Sequence, residues 1–179
     1  HQSLLTRPEL AARSLVVSSF GKTYHCTGWK VGYCVAPPGL ATEFRKVHQF
    51  VQFAVAAPMQ AALAQFLGEC PGHARELGAF YQRKRDRFLE LLGATPLRAV
   101  PAAGTYFQLA DYSAVSDLPD VEFARRLTRD VGVAAIPVSV FCATPAPERV
   151  VRFCFAKNDA TLEAAGQRLA RLAVIGGSS

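Results

Sequence analysis

Lysine is scarce in this chain. Five of its 20 basic residues are lysines (Lys22, Lys30, Lys46, Lys84 and Lys157) and the rest are arginines. Charge is scarce too, at 19% of 179 residues, while half the residues are hydrophobic. That balance excludes a disordered chain and leaves a globular one long enough to bury a genuine core. The net charge is +6, yet the arginines are scattered from Arg7 to Arg171 without a dense basic tract, so no nucleic-acid surface is expected. The five cysteines contain no Cys-x-x-Cys pair, which argues against a structural zinc and fits a reducing compartment. No apolar run approaches a membrane span, and the first residues do not form a signal peptide. A cytoplasmic protein away from membranes is expected. The chain opens at His1 without a methionine, almost directly into strand-like sequence, as if cut from something longer.

What is present alternates. SLVVSSF has the β-branched character of a buried strand and VGYCVA is a second, ended by Pro37 and Pro38. From Thr42, Phe44, Val47 and Val51 predict a helix; Pro58 starts another through Gln60, Leu63 and Phe66. CPGHARELG reads as a hinge, and Leu77, Phe80, Lys84, Phe88 and Leu91 beyond it predict a long helix with one buried face. LRAVP, GTYFQLADY, VAAIPV and RVVRFCFA read as strands, and DVEFARRLTRDVG as a helix ended by glycine. DATLEAAGQRLARLAV closes the chain as an amphipathic helix with Asn158 or Asp159 as cap, before an IGGSS tail. Strands and helices mixed in this order predict an α/β or α+β unit of its own beyond the hinge, so residues 1–72 and 73–179 are expected as separate domains.

Two of the five lysines fall in one short stretch, VSSFGKTYHCTGWKVGY, residues 17–33. An amine in a cleft with a second cation nearby is a nucleophile toward carbonyls, and Schiff-base formation is its usual covalent role. Lys22 follows a strand at a glycine turn, and Lys30 supplies the second cation. Ser18 and Ser19 add hydroxyls, and Gly21 admits close backbone approach. Hydroxyl, amide and cation together suit a phosphate monoester. A carbonyl compound bearing a phosphate satisfies both halves, and pyridoxal phosphate is one. Residue types alone leave the plainer alternative open, a strand–loop–strand with two exposed lysines.

SSFGKTYHCTGWKVGY closely resembles the cofactor-lysine signature of the fold-type I, class I/II pyridoxal-phosphate aminotransferases. That signature runs Ser-x-x-Lys, seven residues, Arg or Lys, x, Gly, aromatic; Ser19, Lys22, Lys30, Gly32 and Tyr33 match it. GTYF, DVEFARRLTRDVGVAAIPVSVF and VVRFCFAK also resemble family segments in family order. The SFGKTYHxTGWK wording is shared with the methionine aminotransferase and kynurenine–oxoglutarate aminotransferase groups. The resemblance implies that Lys22 forms a Schiff base with the cofactor and then acts as the base of transamination. It implies that Ser19 and Lys30 hold the phosphate, Lys30 as a point charge where many relatives have a bidentate arginine. It implies that Arg152 grips the substrate α-carboxylate; read without it, Arg152 is a strand-end arginine needing a partner.

His25 reads as a cap or packing residue, and His48 as lying on an exposed helix face. Tyr24 and Tyr106 read as core aromatics near a cofactor cleft. Phe50 and Phe53 read equally as core and as part of a partner subunit's pocket.

The fold implied is the C-terminal part of the large cofactor-binding domain plus the small C-terminal α/β domain. Amino acid and 2-oxo acid are the implied substrates, and a homodimer the implied assembly, with no metal. Family chains are considerably longer, and their N-terminal half carries a phosphate turn, a ring-stacking aromatic, an asparagine and the aspartate that pairs with the cofactor's ring nitrogen. None of these motifs is found here, so this piece alone is expected to bind cofactor poorly and turn over little. The other reading is an inactive fold unit with a structural or partner-binding role.

Overall fold

Two β-branched runs flanking a glycine-rich turn make the first sheet. In the computed structural model, which describes residues 2–144 and 149–172, β1 (Val16–Ser19) pairs antiparallel with β2 (Gly32–Val35). A second antiparallel sheet holds β3 (Phe107–Asp111), β4 (Ile136–Pro137) and β5 (Val150–Cys154) in the order β3-β5-β4. The chain divides after Gly78 into two units, one sheet in each. The IGGSS tail lies outside the described residues.

The first unit adds α1 (Pro8–Ala11), α2 (Phe20–Thr23), α3 (Pro38–Val51) and α4 (Ala57–Glu69). Prolines occupy the first turns of α3 and α4, where the missing N–H has no partner to lose. Pro38 therefore starts α3 four residues before Thr42 as well as ending the approach from β2. The helical spacing of Phe44, Val47 and Val51 is present, but Val47 and Val51 stay exposed. Strand β1 departs from the buried strand expected of SLVVSSF in the same way. Val17 is 74% exposed because β1 and β2 pair only with each other. Among the described residues of this unit only Gly21, Val31 and Leu63 are buried.

Of the expected hinge, only Cys70–Gly72 is non-helical. From His73, α5 (His73–Gly93) runs unbroken for 21 residues, and the division between units falls inside it. Lys84 lies on its apolar stripe and is paired: its Nζ donates to Asp159 Oδ1 at 2.7 Å and to the Lys157 carbonyl at 2.8 Å.

The second unit has a true core. Alternation in β3 and β5 sends Gln108, Ala110, Val151 and Phe153 to one buried face. Onto that core pack Phe88 and Leu92 of α5, Phe123 of α6 (Asp120–Arg126), and Leu162 and Leu169 of α7 (Asp159–Leu169). Tyr112 stacks on Phe123 with centroids 3.9 Å apart, and its hydroxyl donates to the Leu118 carbonyl at 2.8 Å. A π turn, Leu127–Val131, extends α6 and stops at Gly132, whose φ is +73°. Asn158 caps α7 by accepting from the Thr161 N–H at 2.8 Å, which settles the choice between Asn158 and Asp159.

The LRAVP strand reduces to one bridge, Arg98 opposite Asp111, since Pro96 and Pro101 bracket it and neither can donate to a ladder. Strand β4 is held to two residues, and its Pro137 sits at a sheet edge for the same reason.

Asp120 is buried, and its carboxylate accepts from the Ser139 N–H and from the Ser139 hydroxyl, both at 2.7 Å. Burial favours the neutral acid, but the bonds from Ser139 and from neighbouring amides outweigh it and hold the carboxyl below its ordinary value. Its stabilising contribution is therefore complete above about pH 4 and lost as pH falls through the lowered folded value. Asp120→Asn should flatten the acid limb of a plot of Tm against pH, the variant losing less on acidification than the parent. Superimposable acid limbs would refute this account.

Candidate active site

The turn between β1 and β2 gathers the lysines. Register pairs Ser19 with Gly32, and one further bond, Phe20 N–H to the Val31 carbonyl at 3.1 Å, carries the pairing to the residue beside Lys30. Ser19 Oγ accepts from the Gly21 N–H at 3.0 Å and caps α2, leaving its own proton free to donate. The Gly21 carbonyl accepts from Cys26 N–H at 3.0 Å and from Thr27 Oγ1 at 3.1 Å, folding the turn back on itself. A Cβ on Gly21 would lie 3.0 Å from the Thr27 Cα, so only glycine allows this approach without movement.

Lys22 sits in α2, exposed, and Lys30 caps the short helix Thr27–Trp29 in the left-handed region at φ +55°. A lysine there is sterically disfavoured and is held by its surroundings. Neither amine has a carboxylate partner among the described residues, whereas Lys46 pairs with Glu43 and Lys84 with Asp159. Residues 17–33 contain no aspartate or glutamate. Two cations and a hydroxyl with no carboxylate in the same stretch are the residue types an anion would need.

Arg152 lies in the second unit, on the central strand β5, opposite Leu109 of β3 and Ile136 of β4. Its guanidinium carbon sits 4.0 Å from the Phe107 ring centroid and 4.8 Å from that of Phe141. Its Nε is buried without a hydrogen-bond partner among the described residues, and it forms no ion pair there. A guanidinium oriented by rings, with donors unused, is suited to a bidentate carboxylate. Ser19, Lys22 and Lys30 thus share one turn, and Arg152 belongs to the other unit.

Tyr106 packs against the core, as expected. Tyr24 contacts Phe20, Phe66 and His73. His25 is exposed at φ +55° with its ring edge-on to His73. His48 is half-buried against Phe44, a correction to the exposed position expected. Phe50 and Phe53 are 85% and 83% exposed, which removes core packing within the described chain as their role.

Sequence reasoning missed His73, whose Nε2 lies 2.9 Å from the carbonyl of Thr23 beside Lys22. It also missed the two phenylalanines flanking Arg152. Sequence separations of 50 residues for the first and 45 for Phe107–Arg152 leave no local signal.

The profile of class I and II aminotransferases matches residues 2–169, and the chain belongs to that family. Methionine aminotransferase of Escherichia coli K12 is 55% identical over 172 residues, 96% of this chain and 45% of its own. Kynurenine–oxoglutarate transaminase of Dictyostelium discoideum is 35% identical over 96% of this chain and 44% of its own. The crystal structure of Escherichia coli YbdL, for which a methionine aminotransferase function was identified, superposes with a TM-score of 0.93 over 96% of this chain and 46% of that one. N-succinyldiaminopimelate aminotransferase from Mycobacterium tuberculosis gives 0.83 at 36% identity, over 93% of this chain and 44% of that one. The fold is therefore that of the family, and the chain spans about half the length of the curated relatives it matches. Among the described residues no helix is long and apolar enough to cross a membrane.

The β1–β2 pairing is testable at Gly32, where a Cβ would lie 2.6 Å from the Ser18 carbonyl oxygen. Gly32→Ala in the intact protein should cost about 1–3 kcal/mol locally. Hydrogen exchange should show the Phe20 amide losing protection while the Tyr112 amide, bonded to the Arg149 carbonyl, keeps it. Unchanged exchange at Phe20 would count against the constraint.

Proposed function

We propose that this chain carries the cofactor lysine and the carboxylate-binding arginine of a pyridoxal-phosphate aminotransferase that moves an amino group between an amino acid and a 2-oxo acid. The observation that carries the reading is the β1–β2 connection, which holds Lys22, Lys30 and the Ser19 hydroxyl in a stretch without an acidic residue. That donor set fits a phosphorylated aldehyde: Ser19 and Lys30 would hold the phosphate, and the Lys22 amine is the nucleophile for the carbonyl carbon. When bound, the cofactor supplies an electron sink for charge developing at the substrate α-carbon. Lys22 Nζ, once neutral, is the base that takes the α-proton. Arg152 binds the α-carboxylate and so orients the α-carbon. Its unpaired Nε and its flanking rings support this role.

Methionine leads the proposed donors because the Escherichia coli relative at 55% identity bears that name; glutamine and aromatic amino acids follow. Residues 1–72 are proposed as the end of the large cofactor-binding domain and 73–179 as the small domain. The intact protein is proposed to be a cytoplasmic homodimer, a reading supported by the uncovered Val47, Phe50, Val51 and Phe53.

Borohydride reduction of the intact protein with pyridoxal phosphate should attach the pyridoxyl group to Lys22, located by peptide mapping. Label on another lysine overturns the assignment. Absence of both label and transamination would favour the inactive fold unit. Arg152→Ala should lower kcat/KM for amino acids by about a hundredfold, roughly 3 kcal/mol, with cofactor absorbance retained. Unaltered kinetics would remove Arg152 from the site.

A further inference from the structure

We propose that Phe141, anchored through Ser139 to Asp120, is a positioning residue that sets the Arg152 guanidinium for carboxylate binding; the proposal rests on the reading of Arg152 given above. An arginine on a strand is ordinarily oriented by a carboxylate. Arg152 has none among the described residues, and its buried Nε has no acceptor. What orients it is aromatic: Phe107 at 4.0 Å and Phe141 at 4.8 Å from the guanidinium carbon. The difference matters for binding. An acidic partner would neutralise the charge and occupy the N–H donors that a substrate carboxylate needs, whereas a ring face attracts the cation and leaves the donors free.

The two rings are held differently. Phe107 begins β3, paired with Cys154 on the strand that carries Arg152. Phe141 is 63% exposed and ends a three-residue helix, Ser139–Phe141, too short to hold its own position. Asp120 supplies the fixture. Its two oxygens take the Ser139 N–H and hydroxyl, each at 2.7 Å, and so pin the start of that helix to the buried first turn of α6. Within the helix, Phe141 N–H donates to the Val138 carbonyl at 3.1 Å and Cys142 N–H to Ser139 at 3.0 Å. A rigid path of few bonds thus joins a buried carboxylate to an exposed ring over the arginine.

The test uses the intact, cofactor-loaded protein and two non-reacting probes measured by calorimetry, 3-phenylpropionate and its neutral amide. Phe141→Ala and Phe141→Leu should weaken 3-phenylpropionate about tenfold, while Phe141→Tyr, which keeps the ring, stays within about twofold. Affinity for the amide should be the same in all of them, which a merely structural role for Phe141 would not produce. Ser139→Ala should weaken the carboxylate in the parent and add nothing in the Phe141→Ala background, since it acts through the ring. Carboxylate affinity untouched by Phe141→Ala, or a Ser139→Ala effect that adds in full, overturns the proposal. Arg152→Ala separates the layers: if it abolishes carboxylate binding while Phe141→Ala changes nothing, Arg152 stands and the positioning role falls. If Arg152→Ala leaves binding intact, the underlying reading itself fails.

Discussion

The β1–β2 pairing is the constraint on which the lysine turn depends. Four residue pairs and one further bond from Phe20 to Val31 join the two ends of a twelve-residue excursion. Without them the residues between Ser19 and Gly32 would be a loop with nothing to close it. The pairing needs Gly32, because the Ser18 carbonyl occupies the space a side chain would take. It needs Gly21 as well, because the turn closes over that backbone. Both glycines serve to bring backbone against backbone, and the charges of Lys22 and Lys30 are carried along.

The two units solve opposite problems. The second is a packed α/β layer in which a stacked Tyr112–Phe123 pair and paired strands bury one face of the sheet and leave Arg152 on the other. The first buries little and presents apolar stripes outward. The contrast is between a unit that completes its own core and one whose apolar faces stay exposed. The proposed roles follow the same division: Lys22, the proposed nucleophile, lies on the first unit, and Arg152, the proposed carboxylate binder, on the second.

Much was legible in the residues alone. Pro58 located the start of one helix to within a residue, and Gly132 the end of another. The rarity of lysine made Lys22 and Lys30 stand out, and the resemblance to the family signature supplied the roles proposed for them. Failures came where a local pattern lacked its partner. SLVVSSF has strand periodicity but no second face to bury, and LRAVP has strand composition but prolines that forbid a ladder. Lys84 falls on the helical period of the buried face with no partner evident in the sequence; that partner is Asp159, 75 positions later.

Sequence by itself determined the residue types and their local order: an amine, a hydroxyl and a second cation within fifteen residues, and an arginine alternating with apolar neighbours. These are properties of short stretches, where steric preference and side-chain periodicity act without help from elsewhere. Tertiary structure decided which groups are paired and which remain free. Asp120 is consumed by Ser139, and Lys84 by Asp159, while Arg152 is left, among the described residues, with two aromatic rings and an Nε without an acceptor. Whether a charge is neutralised depends on what lies within a few ångströms of it, and chain neighbours supply only a small part of that surrounding.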